Sequence, residues 1–303
     1  MQLIIKNLSK TYPNGVQALK DVNLTIDKGM FGLLGQNGAG KSSLMRTLAT
    51  LQDVDQGKIF LGGADVIKNP EKIRRTLGYL PQEFGVYDTV SAEEMLDYIA
   101  QIKGLVNKSE RKARVAYLLN RVNLYNVRKK RLKTYSGGMK QRFGIAQALI
   151  ADPELIIVDE PTAGLDPEER NRFYNILSEL GEDAIVILST HIVEDVTSLC
   201  SDMAIIGSGR VLVHTQPAKI VNAVKGKIWT KEIDRKDLDM CKEKLPVIAT
   251  HINQGRMRIH VFGNTAPDAA FEPGTANMED AYFAVISGNA DLRELSPVVP
   301  EGL

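Results

Sequence analysis

The residue run with the clearest chemistry is a glycine-rich turn that ends in a lysine and a serine, Gly35-Gln36-Asn37-Gly38-Ala39-Gly40-Lys41-Ser42. It follows a predicted strand at 31–34 and precedes a helical pattern that starts at Ser43. In that setting the pattern G-x-x-x-x-G-K-[ST] predicts a phosphate-binding loop. Backbone N–H groups can close around phosphate oxygens there, aided by the helix N-terminus. Lys41 would reach the β- and γ-phosphates of a nucleotide, and Ser42 would hold Mg²⁺.

Two adjacent carboxylates follow a second predicted strand. The run 155–158 is apolar throughout, and Asp159 and Glu160 come directly after it. A carboxylate at the end of a buried strand fits the second Mg²⁺-binding element of ATPases that have a phosphate-binding loop. We predict that Asp159 binds the ion. Glu160 would point the other way if the strand continued, and it is then well placed to polarise an attacking water.

Short β-branched runs alternate with helical patterns up to about residue 214, which predicts an α/β fold with a largely parallel sheet. The predicted strands are 3–6, 22–26, 31–34, 77–80, 155–158, 185–188 and 203–206. A helix-length segment at 167–180 separates two of them. The strands at 155–158 and 185–188 are apolar at every position, as expected for a sheet covered on both faces.

One stretch, 91–150, predicts helices and no strand. Ser91 and Glu94 have the spacing of a capping box for a helix that reaches about Lys103. An apolar stripe at helical spacing follows, made of Val115, Leu118, Leu119 and Val122. We interpret the stripe as core packing. The pattern predicts a helical subdomain at about 83–150, inserted in the α/β unit.

The alternation of β-branched runs with helical patterns ends at about residue 214. We therefore divide the chain into an α/β domain at 1–214 and an appendage at 215–303. Polar and apolar residues alternate at 256–261, which predicts a strand, and Gln254-Gly255 could form a hairpin turn before it. Four apolar residues recur at helical spacing near the end, Met278, Ala281, Tyr282 and Val285. We predict a small α+β extension with a loose tail at 296–303.

Composition narrows the classes of partner. The net charge is +1, so the chain as a whole has no strong positive electrostatic field that would attract it to nucleic acid or anionic lipid. The basic run 128–133 lacks interleaved aromatic residues, which favours a solvated loop over a nucleic-acid site and leaves lipid contact as an alternative. Cys200 and Cys241 offer no disulfide framework, as expected for a reducing cytosol. No signal peptide is recognisable, and no apolar run approaches the ~18 residues of a membrane span.

The segment Tyr135-Ser136-Gly137-Gly138-Met139-Lys140-Gln141-Arg142 resembles the LSGGQ signature peptide of ATP-binding cassette (ABC) ATPases. Ser136 is a good helix N-cap, and the two glycines after it leave backbone N–H groups open to a phosphate. The resemblance implies that Ser136, Gly137 and Gly138 contact the γ-phosphate of ATP held by a second subunit.

Four further matches follow the order of the family. Tyr12 resembles the aromatic residue that stacks on adenine, and Gln82 resembles the glutamine that reaches Mg²⁺ and senses the γ-phosphate. The peptide Gly164-Leu165-Asp166 resembles the D-loop at the dimer interface, and His191 resembles the switch histidine. Each match is weak alone, but all of them occur once, in one order, over residues 3–214.

The resemblance implies a core of the P-loop NTPase type with an N-terminal antiparallel β part, the inserted helical subdomain and the C-terminal appendage. It implies an ATPase that uses ATP and Mg²⁺, with Glu160, His191 and Gln82 in catalysis and Ser42, Gln82 and Asp159 at the metal. The implied nucleotide contacts are Tyr12, Gly35, Gln36, Asn37, Gly38, Ala39, Gly40, Lys41, Ser42, Ser43, Ser136, Gly137, Gly138 and Asp166.

The implied partners are an identical second ATPase subunit, arranged head to tail, and a separate membrane permease. The implied location is the cytoplasmic face of the membrane, with no nucleic acid bound.

Tyr135 and Met139 depart from the usual signature, and the variant resembles the branch that exports drugs and polysaccharides. Met278-Glu279-Asp280-Ala281-Tyr282 resembles a peptide in the C-terminal extension of that branch. Two alternatives are a soluble ABC ATPase that acts on ribosomes or DNA and a scaffold that binds ATP without hydrolysis.

Overall fold

The computed structural model describes residues 1–82, 85, 89–162, 165–253 and 255–297. The strands are β1 Gln2–Thr11, β2 Gln17–Asp27, β3 Gly29–Leu34, β4 Gln56–Leu61, β5 Ala64–Asp65, β6 Leu77–Leu80, β7 Leu155–Asp159, β8 Ile185–Thr190, β9 Asp202–Gly207, β10 Arg210–Thr215, β11 Ile228–Ile233, β12 Val247–Asn253, β13 Arg256–Phe262 and β14 Glu272–Pro273. The α-helices are α1 Lys41–Leu48, α2 Pro70–Thr76, α3 Ala92–Ile102, α4 Lys108–Arg121, α5 Gly137–Ala148, α6 Pro167–Gly181, α7 Val193–Leu199, α8 Pro217–Val224, α9 Leu238–Lys244 and α10 Met278–Ile286.

A six-stranded sheet forms the centre of the molecule, in the order β10-β9-β3-β8-β7-β6. All neighbours in it are parallel except β9 and β10, which confirms the predicted α/β fold with a largely parallel sheet. Leu34 lies opposite Thr190, and Asp159 lies opposite Ser189. The carboxyl ends of β3, β7 and β8 therefore meet at one edge of the sheet, which is where open α/β sheets bind ligands.

Both faces of this sheet are covered, which explains strands that are apolar at every position. Along β7, Leu155 and Ile157 join a buried cluster with the N-terminal strands and α1. Ile156 and Val158 point to the opposite face and join a second cluster with the helices. The period of two residues along a strand thus serves two cores at once.

An antiparallel sheet in the order β2-β1-β4-β5 covers the first face, as the family resemblance implied. The chain reverses between β1 and β2 at a short turn, where the amide of Tyr12 donates to the carbonyl of Val16. This turn reaches the edge of the central sheet where β3 ends, and it therefore carries Tyr12 to the loop after β3.

Helices α3, α4 and α5 occupy the stretch that the sequence assigned to a helical subdomain. Ser91 and Glu94 form the predicted capping box at the start of α3. The four residues of the apolar stripe are all buried, which confirms their role in core packing. Strand pairing between 89 and 150 is limited, within the described residues, to one isolated bridge between Ser91 and Arg131. In the basic run, Lys129, Lys130 and Lys133 are exposed, as predicted for a solvated loop.

The C-terminal part contains a second antiparallel sheet in the order β12-β13-β11-β14. The predicted strand at 256–261 is confirmed; Asn253 pairs with Arg256 across the hairpin, and Gln254 lies outside the described residues. Helix α10 buries the four predicted apolar positions in the main core cluster, beside α8. Ser296 begins the segment predicted as a loose tail, yet its hydroxyl accepts a hydrogen bond from the amide of His214 at 2.9 Å. Residues 298–303 lie outside the described part of the chain. Among the helices of the described residues, none is long and apolar enough to span a bilayer.

Candidate active site

The phosphate-binding loop joins β3 to α1 and is built around Gly40. Gly40 has a φ of +109°, and a Cβ atom there would lie 2.6 Å from the carbonyl oxygen of Ala18. Glycine is therefore needed, because this backbone conformation and this close approach exclude other residues. The carbonyl of Gly40 accepts from the amide of Leu44, so α1 begins at Lys41. The helical pattern predicted from Ser43 starts two residues too late.

Lys41 is buried beneath the loop, and its ammonium group holds the turn together. Its Nζ donates to the carbonyl oxygens of Gly35 at 2.7 Å and Gln36 at 3.2 Å. It also lies 3.5 Å from Oε1 of Glu160. Burial lowers the pKa of Lys41, and the Glu160 carboxylate opposes that shift. The lysine is thus a cation placed between the loop and the end of β7.

Strand β7 ends at Asp159, and the backbone turns at the next residue. Glu160 has a φ of +48°, in the left-handed region, and its amide donates to the carbonyl of Ser189 on β8. The strand therefore does not continue, and the expected alternation past Asp159 does not apply. The turn directs the Glu160 carboxylate back over the sheet edge toward Lys41. Such strain at a non-glycine residue is typical of functional sites.

Three predicted site residues converge on Glu160. Nε2 of Gln82 donates to Oε2 at 3.1 Å, and Nδ1 of His191 lies 3.2 Å from Oε1. These residues follow β6 and β8, on the two sides of β7. With Lys41 they surround a buried carboxylate with one cation, one amide and one imidazole. The arrangement can accept a proton from a water and stabilise negative charge that develops beside it.

Asp159 is buried, and its Oδ1 has no hydrogen-bond partner among the described residues. An orphaned buried carboxylate oxygen is costly, and a hard cation would satisfy it. The Ser42 hydroxyl and the Gln82 side-chain oxygen complete a set of oxygen donors of the kind that Mg²⁺ prefers. The residues present therefore fit this ion.

A cavity of about 510 Å³ opens at this edge of the sheet. Its walls include Tyr12, the loop residues Gln36 to Gly38 and Gly40 to Ser43, and Gln82 and Glu160. The Tyr12 hydroxyl lies 3.0 Å from the Ser43 hydroxyl and donates to Oε1 of Gln52 at 3.0 Å. Tyr12 is thereby fixed at the mouth of the cavity, where a planar base could stack on it. Gln52 was missed in the sequence because it lies in no recognisable motif.

The signature residues do not line this cavity, as far as the described residues show. Ser136 caps α5 by accepting from the amide of Met139 at 3.2 Å, and Ser136 and Gly137 are exposed. A Cβ atom on Gly137 would meet nothing within 4 Å, so its backbone is open to an approaching group. Met139 is partly buried against the core cluster. Its side chain serves packing at the position where the usual signature has a polar glutamine.

The D-loop and the signature peptide are joined by one glutamate that sequence inspection missed. Asp166 caps α6 by accepting from the amide of Glu169 at 2.9 Å. The Glu169 carboxylate pairs with Arg142 of α5 at 3.0 Å and lies against Gly138. Residues of the predicted signature and D-loop are thus linked through Glu169, and those that the structure describes do not line the cavity. Gly164, the first residue of the predicted D-loop, lies outside the described residues.

Comparison with known proteins gives one consistent result. The family described as ABC transporter matches residues 19–163. The ABC transporter ATP-binding protein NatA of Bacillus subtilis is 40% identical over 200 residues, which cover 65% of this chain and 81% of NatA. The linearmycin resistance ATP-binding protein LnrL of Bacillus subtilis is 38% identical over 209 residues, 68% of this chain and 67% of LnrL.

A solved structure with the same fold is a dimeric ATP-binding cassette in a post-hydrolysis state, bound to ADP and phosphate. It superposes with a TM-score of 0.65 at 26% identity and covers 71% of this chain and 98% of that one. The shared fold therefore covers more than two thirds of the chain. With the identity to NatA over most of that protein's length, this means that the chain belongs to the family of ABC transporter ATP-binding proteins.

Proposed function

We propose that this protein hydrolyses ATP with Mg²⁺ and that hydrolysis powers export through a separate membrane permease. The observation that supports this most directly is the convergence of Lys41, Gln82 and His191 on Glu160. An ATPase needs a proton acceptor beside the phosphate-binding loop, whereas a scaffold that only binds ATP does not. The two relatives above are named for ABC transport and linearmycin resistance, which favours transport over a role on ribosomes or DNA.

Each residue of the site has a distinct task in this proposal. The loop amides and Lys41 hold the β- and γ-phosphates, while Tyr12 stacks on the adenine. Ser42, Asp159 and Gln82 would hold Mg²⁺, which neutralises phosphate charge when bound. Glu160 orients the attacking water and takes its proton, and His191 donates to the γ-phosphate oxygens. Because phosphoryl transfer passes through a loose transition state, positioning and charge stabilisation supply most of the rate.

Turnover requires two copies in this proposal, because the signature surface lies apart from the cavity within one chain. A head-to-tail dimer would place Ser136, Gly137 and Gly138 of one subunit over the phosphates held by the other. The exposed, unobstructed backbone at Gly137 suits such a contact. Asp166, at the N-cap of α6, would lie at the same interface.

Ser136→Arg tests this arrangement. The bulky cation should block closure of the dimer and reduce ATPase activity to background, while ATP binding by the monomer stays within about twofold. Ser109→Arg, on an exposed serine of α4, is the matched control and should leave both properties unchanged. ATPase assays and calorimetric titration measure the two effects. Full activity of Ser136→Arg would mean that the signature does not face a nucleotide.

The helical subdomain is the proposed site of contact with the permease. Two exposed apolar side chains mark it, Ile102 at 67% and Val106 at 86% exposure. Apolar groups grouped on one part of a surface often mark a protein interface. The permease would hold the protein at the cytoplasmic face of the membrane, and nucleotide-driven closure would move these helices against it.

Membrane recruitment should depend on the permease and on this surface. The protein should sediment with membranes only when the permease is co-expressed, and Ile102→Asp should reduce the bound fraction severalfold, because it places a charge in an apolar contact. Ile252→Asp changes a side chain of similar exposure, 74%, in the C-terminal part and serves as the control. Equal sedimentation without any permease would instead indicate direct lipid binding, and the basic run 128–133 would be the surface to change.

Residues 215–303 are proposed to form a C-terminal extension that is firmly attached to the motor. Helix α10 shares the main core cluster with α8 and β9. Its last turn also borders the phosphate-binding loop, because Val285 and Ile286 line a second cavity with Gln36, Asn37 and Gly38. Movement of the extension would therefore shift the phosphate-binding loop that contacts the nucleotide.

A further inference from the structure

A fully buried carboxylate, Asp195, lies in the first turn of α7 outside the set of residues assigned to the site. No lysine, arginine or histidine nitrogen of the described residues lies within 4.0 Å of it. A buried carboxylate without a cation is costly unless hydrogen bonds replace its water shell. The hydrogen bonds that Asp195 accepts offset this cost, and the groups that donate them indicate what the residue does.

Three hydroxyl groups from three other elements bind Asp195. Its Oδ2 accepts from Thr162 at 2.7 Å and from Thr190 at 2.9 Å, and its Oδ1 accepts from the Tyr174 hydroxyl. An ionised carboxylate only accepts, so all three hydroxyls donate. Burial and the bond to Asp195 raise the pKa of Tyr174, which keeps its hydroxyl protonated as a donor.

These three hydroxyls flank the catalytic groups. Thr162 lies two residues after Glu160, at the beginning of the segment that leads to Asp166. Thr190 directly precedes His191, and its Oγ1 also accepts from the amide of Ile192 at 2.9 Å. The backbone on both sides of His191 is thereby held through one hydroxyl. Tyr174 belongs to α6, the helix that Asp166 caps.

We propose that Asp195 is a positioning residue: it fixes the His191 backbone and Thr162, two residues after Glu160, in one arrangement, and it acts on turnover through His191. The inference rests on the proposed function, since it takes His191 to act on the γ-phosphate. Charge-assisted hydrogen bonds are short and directional, so one carboxylate can hold two loops and a helix in register. Because Thr190 both donates to Asp195 and accepts from Ile192, the bonds reinforce each other.

Asparagine has the shape of Asp195 but cannot replace it. Its amide group would be a donor on one side, facing either Tyr174 or the pair Thr162 and Thr190. In each orientation at least one hydroxyl must turn its proton away and lose its acceptor. A buried hydroxyl without an acceptor is unfavourable, so we expect the loops to move until this hydroxyl is hydrogen-bonded again. The substitution therefore tests the position of His191 with almost no change in volume.

Asp195→Asn should lower the kcat for ATP hydrolysis about 10- to 100-fold, the scale expected when a catalytic group is misplaced by a fraction of an ångström to an ångström. The KM for ATP should change less than about threefold, because the phosphate-binding loop is untouched. Val196→Ala is the matched control, since it removes buried volume from the next residue of the same helix. It should lower thermal stability and leave kcat within about twofold. Equal kcat values for the two variants would overturn the proposal.

A double-mutant cycle with His191→Ala separates positioning from general stability. If Asp195 acts through His191, adding Asp195→Asn to His191→Ala should reduce kcat by less than about twofold further. Losses that multiply would overturn this inference and leave the proposed function intact. A wild-type kcat for His191→Ala alone would overturn the role of His191 and this inference with it. Should Asp195→Asn fail to fold, Thr190→Val removes the same link with nearly the same shape and should show the same loss and the same non-additivity.

Discussion

Replacing Lys41 by alanine is expected to weaken ATP binding by roughly 30- to several-thousand-fold, since truncating one member of a buried charge pair costs about 2–5 kcal/mol. Lys41 is the cation that bridges the phosphate-binding loop and Glu160, through bonds to Gly35 and Gln36. Its removal takes away the positive charge that faces the phosphates. It also leaves Glu160 as an uncompensated negative charge beside them, which adds to the loss.

Isothermal titration with ATP measures this effect, and two further variants separate charge from packing. Lys41→Met keeps the buried aliphatic stem but not the charge, so it should bind as weakly as Lys41→Ala while retaining more thermal stability. Lys28→Ala removes an exposed lysine just before β3 and should bind ATP like the wild type. Unchanged ATP affinity of Lys41→Ala and Lys41→Met would place the phosphates elsewhere.

The sheet and the grouping of the site were predictable because both follow from local patterns. Apolar runs at 155–158 and 185–188 predict strands covered on two faces, and each motif follows such a strand. Parallel strands bring their carboxyl ends to one edge, so Lys41, Glu160 and His191 had to come close together. The capping box at Ser91 was equally local, and it fixed the start of α3.

Features that depend on distant contacts could not be predicted in the same way. The backbone turn at Glu160 is set by a hydrogen bond to Ser189, 29 residues later in the chain, and nothing in the local sequence indicates it. Asp195 is an acidic residue in a short helix, which predicts an exposed side chain, yet its partners at 162 and 174 make it fully buried. Strand β4 was missed because its Gln-Gly-Lys start gives no alternation. Such features need the tertiary structure.

Replacing Glu160 by glutamine is expected to slow hydrolysis by ~10²–10⁴-fold, the usual contribution of a positioned general base. At 1.36 kcal/mol per decade, this is about 3–5 kcal/mol of activation free energy. The substitution preserves the volume of the side chain and its capacity to bond with Gln82, and it removes the proton acceptor together with its negative charge. ATP binding should persist or tighten, because Lys41 loses the carboxylate 3.5 Å away that competes with phosphate for its charge.

The slow step would then be the exit from the closed dimer, so the dimer should accumulate in Mg-ATP. Size-exclusion chromatography and phosphate release, run side by side, measure these two consequences. Glu154→Gln, an exposed glutamate just before the other end of β7, is the control and should behave like the wild type. A Glu160→Gln protein that stays monomeric and hydrolyses ATP at the wild-type rate would contradict the assignment of the base. Slow hydrolysis without dimer accumulation would retain Glu160 as the base and indicate that stable closure needs the permease, since loss of the proton acceptor slows hydrolysis whether or not the closed dimer is stable.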